Sequence, residues 1–143
     1  MTHRDPAKVV PSYTSLVSQI MAPSEGARDL CALGREVCDH LRVGMEHAIA
    51  ERTRVGEDRF LDVHHRDLVE DPPGTIEHVY DWLGLELDAA TEKTMREWQA
   101  ANQMGSSGSH IYRAEQFGLS VGQIRAEYDF YIRRFAVTLE EEP

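Results

Sequence analysis

Arg4 and Ser12 stand eight residues apart in the segment His3-Arg4-Asp5-Pro6-Ala7-Lys8-Val9-Val10-Pro11-Ser12. The segment reads as a strand end turning into a helix, with Asp5 as the N-cap and Pro6 at the first helical position. In that setting Arg4 offers a planar fork of donors suited to a phosphate. A serine hydroxyl one or two turns into the helix can reach the same anion. The helix N-terminus adds free N–H groups and the positive end of the dipole. The plainer alternative is an arginine in a turn ahead of a capped helix.

Other residues could carry chemistry but are weaker candidates. His64 and His65 lie beside Arg66 and Asp67 at a strand end, a place suited to acid–base work. Neighbouring strand residues face opposite sides, so at most one of the two histidines reaches a site. His3 reads as a satisfied strand-end residue, and His40, His47 and His78 fall on polar helix faces. Ser12, His65 and Asp67 make a triad on paper, but no nucleophile-elbow pattern supports it. No catalytic residue is assigned. Cys31 and Cys38 lie on one expected helix, about 10 Å apart at 1.5 Å per residue. That is too far for a disulfide, and no Cys/His pair has zinc-ligand spacing, so no metal is expected.

The elements that must position these residues are mostly helical. A helix is expected from Pro6 to about Met21, with Val9, Val10, Tyr13, Leu16, Val17 and Ile20 as its apolar recurrence. Pro11 should distort its early turns, and Ala22-Pro23-Ser24-Glu25-Gly26 should end it. A long helix follows from about Ala27 to Arg54, stopped by Gly56. Arg59–His64 is the one convincing strand, and a lone strand needs neighbours. Thr75–Leu83 reads as an amphipathic helix, Asp88 caps another that runs to about Gln103, and Gly105–Ser109 is a loop. Ser120 with Gln123 makes a capping box for a last helix through Phe135, and Glu140–Pro143 should fray. Trp82 and Trp98 read as packing, and Tyr128, Phe130, Tyr131 and Phe135 as core.

The chain has 143 residues and a formal charge of −10, with a pI of about 5.1. Its length fits one domain spanning residues 1–143. An acidic chain without a basic block argues against nucleic-acid and anionic-membrane binding. No apolar stretch approaches the roughly 20 residues of a membrane span, and there is no signal-peptide pattern. A cytoplasmic protein with reduced cysteines is expected.

The Arg4 to Ser12 segment resembles the 3′-phosphate-binding segment of sulfotransferases that use 3′-phosphoadenosine 5′-phosphosulfate. Phe60–Pro72, followed by Gly74-Thr75-Ile76-Glu77-His78-Val79-Tyr80-Asp81-Trp82-Leu83-Gly84-Leu85, is similar to a second landmark of that family. His110–Leu119 resembles the C-terminal part of its bacterial branch. The resemblance implies a mainly helical chain with one or two short strands, the C-terminal part of an α/β P-loop-like fold. It implies Arg4 and Ser12 on the 3′-phosphate and His65 near the adenine, where the family often has Tyr. The cofactor would be 3′-phosphoadenosine 5′-phosphosulfate, or adenosine 3′,5′-bisphosphate as the product. The partners would be this nucleotide sulfate donor and a small-molecule hydroxyl or amine acceptor.

The sequence departs from the family in two places. No Gly-rich 5′-phosphosulfate loop is found, so the resemblance implies the C-terminal half, with no transfer expected from this chain alone. The loop at Met104–Ser109 lacks the family's cation, a loss of roughly 1.5–3 kcal/mol in phosphate binding. Unpaired strand edges and apolar helix faces would then favour a symmetric homodimer. The competing expectation is a non-catalytic helical interaction module derived from that fold.

Overall fold

The computed structural model describes residues 1–25, 29–102 and 112–141. In chain order the elements are β1 (Thr2–His3), α1 (Pro6–Glu25), α2 (Leu30–Val55), β2 (Val63–His64), α3 (His65–Glu70), α4 (Pro72–Leu83), α5 (Ala89–Ala101), α6 (Val121–Glu127) and α7 (Asp129–Arg134). Short 3₁₀ turns lie at Glu57–Arg59 and Ala114–Phe117. The chain forms two compact units, a smaller one of Met1–Thr2 with Leu61–His110 and a larger one of His3–Phe60 with Ile111–Pro143. The expected loop at Gly105–Ser109 and the start of the His110–Leu119 landmark lie outside the described residues.

In the smaller unit the expected strand shrinks to β2. Arg59 belongs to a 3₁₀ turn, and Phe60–Asp62 have no regular structure. The neighbour this strand needs is β1, at the very start of the chain, and the two form a parallel pair. The Val63 N–H donates to the Met1 carbonyl at 2.9 Å, and the Met1 ammonium donates to the Leu61 carbonyl. His65–Glu70 is helical, where no helix was expected. Helix α4 starts at Pro72 rather than Thr75, because Asp71 caps it through the Gly74 N–H at 3.1 Å and a proline suits its first turn. Gly84, at φ 66°, closes it in the left-handed conformation. Asp88 caps α5 as expected, accepting from Ala90 and Thr91 N–H, both at 2.9 Å. Trp82 and Trp98 are exposed rather than packed, at 44% and 68%.

In the larger unit α1 runs unbroken past Pro11 to Glu25. The helix tolerates the missing N–H because Pro11 is fully buried, and tertiary packing overrides local propensity. The buried face differs from the expected one. Ala7, Val10, Pro11, Thr14 and Ser15 turn inward, whereas Val9, Tyr13, Leu16 and Ile20 are exposed. Small residues on the inner face let other backbone come close. Thr14 meets its polarity locally by donating to the Val10 carbonyl at 2.8 Å.

Helix α2 starts at Leu30 behind the cap Asp29, which accepts from the Cys31 N–H at 2.8 Å. The last helix is two helices, because the chain bends at Tyr128 between α6 and α7. That bend puts Tyr128, Tyr131 and Phe135 into one cluster with Ala7, Val10, Cys38, Ala114, Leu119, Ile124 and Val137. Arg52 is also buried, its guanidinium 5.0 Å from the Phe60 ring and 5.2 Å from the Phe135 ring, with Glu57 accepting from Nε at 2.5 Å.

Close backbone approach is clearest at Gly34 in α2. A Cβ there would lie 2.3 Å from the Phe117 carbonyl oxygen, and backbone cannot swing aside as a side chain can. Gly34→Ala should therefore destabilise by about 1–3 kcal/mol in chemical denaturation. Gly44→Ala in the same helix, where a Cβ meets nothing within 4 Å, should stabilise by about 0.5–1 kcal/mol.

Candidate functional site

The start of α1 is organised around Asp5, a carboxylate with no solvent exposure. Its Oδ1 accepts from the Ala7 N–H at 2.9 Å, which is the expected N-cap contact. Its Oδ2 accepts from Arg125 at 2.6 Å and from the Glu140 N–H at 2.9 Å. Burial alone would raise the Asp5 pKa. The Arg125 hydrogen bond and the Glu140 and Ala7 amides outweigh it and hold the carboxyl below its ordinary value.

Arg4 stands beside this hub. Its Nε donates to Glu140 Oε1 at 2.7 Å and its second nitrogen to Oε2 at 2.9 Å, a two-point grip on a planar anion. The Glu140 hydrogen bond raises the Arg4 pKa further. Lys8, one turn into α1, donates to the Glu141 carbonyl at 2.5 Å. Ser12 is exposed one turn beyond Lys8, on the same helix face. Lys8, Tyr112, Arg113, Gln116, Arg125 and Glu140 line a pocket of about 340 Å³. The structure thus adds Lys8, Arg113 and Arg125, which share this pocket with Glu140, the partner of Arg4. Only Lys8 left a trace in the sequence, through its four-residue step to Ser12.

His65 opens α3 in the smaller unit and is partly buried, whereas Arg4 and Ser12 belong to the larger unit. His3 is the satisfied residue expected of it. It is 1% exposed, stacks on Phe135 at 4.2 Å between ring centroids and shares a 3.1 Å hydrogen bond with the Tyr131 hydroxyl. The Cys38 thiol is pushed up to about 12, first by burial and then by the Glu127 charge, so it stays protonated and is no nucleophile. Among the described residues, no group of three or more His, Cys, Asp or Glu is placed to hold a metal ion. No helix among them is long and apolar enough to cross a membrane.

The depressed Asp5 pKa fixes the sign of a pH effect. The folded value lies below the ordinary 3.8, so this contribution to stability is present above that pH and is lost as pH falls through the folded value. Asp5→Asn should cost about 3–5 kcal/mol at neutral pH, because it leaves Arg125 without its buried partner. The acid slope of stability below pH 4 should be shallower in the variant than in wild type, as read by denaturation at a series of pH values.

The sequence and the fold both have relatives. Residues 1–89 match the profile of the Sulfotransferase family. The fold superposes on the crystal structure of sulfotransferase STF9 from Mycobacterium avium with a TM-score of 0.86 and 26% identity, over 98% of this chain and 36% of that one. Sulfotransferase STF1 from Mycobacterium tuberculosis H37Rv gives a TM-score of 0.67 and 25% identity, over 88% of this chain and 31% of that one. The chain therefore spans about a third of the length of these two structures. No curated protein matches it. A family match over more than half of the residues, on a mainly helical chain with two short parallel strands, shows that the chain belongs to the sulfotransferase family.

Proposed function

We propose that the larger unit binds the 3′-phosphate of a nucleotide sulfate donor, 3′-phosphoadenosine 5′-phosphosulfate, with Arg4 and Ser12 as its contacts. The observation that carries this reading is the two-point grip of Arg4 on the Glu140 carboxylate. A guanidinium fork that holds two carboxylate oxygens presents the same geometry to two phosphate oxygens. Lys8, on the Ser12 face of α1, adds a second positive charge to the phosphate's side. The adenine contact that the resemblance gives His65 is a separate proposal, resting on sequence alone.

In a complete enzyme of this family, an acceptor hydroxyl or amine attacks the sulfur in line. Its proton passes to a base, and adenosine 3′,5′-bisphosphate departs with its charge held by cations. Arg4 and Ser12 would bind and orient the donor in that reaction. They stand too far along the nucleotide to act on the sulfur. The sequence contains no Gly-rich loop with Lys or Arg to hold the phosphosulfate.

Two measurements follow from this reading. Calorimetry with adenosine 3′,5′-bisphosphate should give weak binding that falls about tenfold or more in Arg4→Ala, the loss of one charge-assisted phosphate contact. Equal affinity of the two proteins would remove Arg4 from the site. The chain alone should give no transfer above background from a labelled phosphosulfate donor to phenols or sugars, and clear turnover would show that it carries its own transfer machinery.

A further inference from the structure

The C-terminal tail reaches the same cations that the donor needs. After α7 the chain turns at Ala136, which takes φ 48°, and Val137 enters the core at 6% exposure. From there the tail runs to Asp5. The main chain of Glu140 is held at both ends, its N–H by Asp5 at 2.9 Å and its carbonyl by Arg125 at 2.6 Å. The next carbonyl, of Glu141, is held by Lys8. The Glu140 side chain alone makes the two-point contact with Arg4.

We propose that the tail is an internal strap, with the Glu140 carboxylate seated where an incoming phosphate binds Arg4. The inference rests on the nucleotide reading given above and adds its regulation. The anchor and the seat differ in strength. Asp5 in the Asp5–Arg125 pair is wholly buried, so the main chain of the tail stays in place. The side chains of Arg4 and Glu140 are 39% and 33% exposed, and a pair so open to water is weakly held. Its carboxylate carries one negative charge, whereas a phosphate monoester at neutral pH carries about 1.5–2 and three acceptor oxygens. The phosphate therefore displaces Glu140 by a swing of one side chain, with the backbone left where it is. Singly charged carboxylates gain nothing by the exchange. The strap thus lowers the apparent affinity for every anion and selects for those with the charge of a phosphate monoester.

The test separates this proposal from the reading beneath it. Glu140→Gln and Glu140→Ala keep the main-chain anchors and remove the competing charge. Both should bind adenosine 3′,5′-bisphosphate about two- to fivefold more tightly than wild type, the size expected for release of a partly exposed ion pair. In an Arg4→Ala background the same two substitutions should change nothing. Thermal melting checks that both variants fold. If Arg4→Ala weakens binding and neither Glu140 variant tightens it, the strap is overturned and the nucleotide reading stands. If no variant binds, or Arg4→Ala binds as well as wild type, the nucleotide reading fails and the strap fails with it.

Discussion

A single carboxylate without solvent exposure, Asp5, ties three distant parts of the larger unit together. It caps α1 through Ala7, grips α6 through Arg125, and fixes the C-terminal tail through the Glu140 amide. A buried charge is tolerated only when its acceptors are filled, and here both oxygens have donors. Much of the local arrangement depends on this one group. The position of Arg4 is set by the residue next to it in sequence, and Glu140 faces Arg4 because its own main chain is bound to Asp5. The Arg125 Nε is the cost of this arrangement, since it is buried and has no hydrogen-bond partner among the described residues.

The contrast between the two units bears on what each can do. The larger unit has a core of aromatic and aliphatic side chains that holds its polar network in place. Between Leu61 and Asn102 no residue of the smaller unit is fully buried. It carries instead an apolar groove of about 800 Å³ among Leu68, Pro72, Pro73, Ile76, Met95 and Trp98. Its helices are well capped, so their ends are specified locally even where their packing is sparse. Precise placement of a charged group needs rigid surroundings, and in this chain those lie around Asp5.

Local signals were legible in the sequence and long-range ones were not. Asp5, Asp88 and Ser120 were readable as caps because a cap acts within three residues. The family was legible for the same reason, since its landmarks are short runs with fixed spacing. The inward face of α1 was misread because its apolar residues suggested one stripe, while close packing selected the smaller residues Ala7, Thr14 and Ser15. Pro11 was misread because burial outweighed its local cost. The partner of β2 was hidden in two residues at the chain start. Arg125 and Glu140 lie 120 and 135 residues from Asp5, and nothing in their own neighbourhoods points to it. Nothing in the residues around Arg52 marks its burial, which comes from Phe60 and Phe135.

The span of the Asp5 contacts also sets the order in which the molecule can be made. A ribosome releases Asp5 well before Glu140, which follows it by 135 residues. Until then the carboxylate lacks at least one of its three donors, and the start of α1 cannot dock as it does in the finished fold. The larger unit can therefore close only once Glu140 has left the ribosome. Loop closure across 135 residues makes that step slow compared with forming any single helix. The nascent protein passes through a period in which α1 lacks the cover of the Ala114–Phe117 turn and of α6, and in the cell that is the interval in which a chaperone would find it.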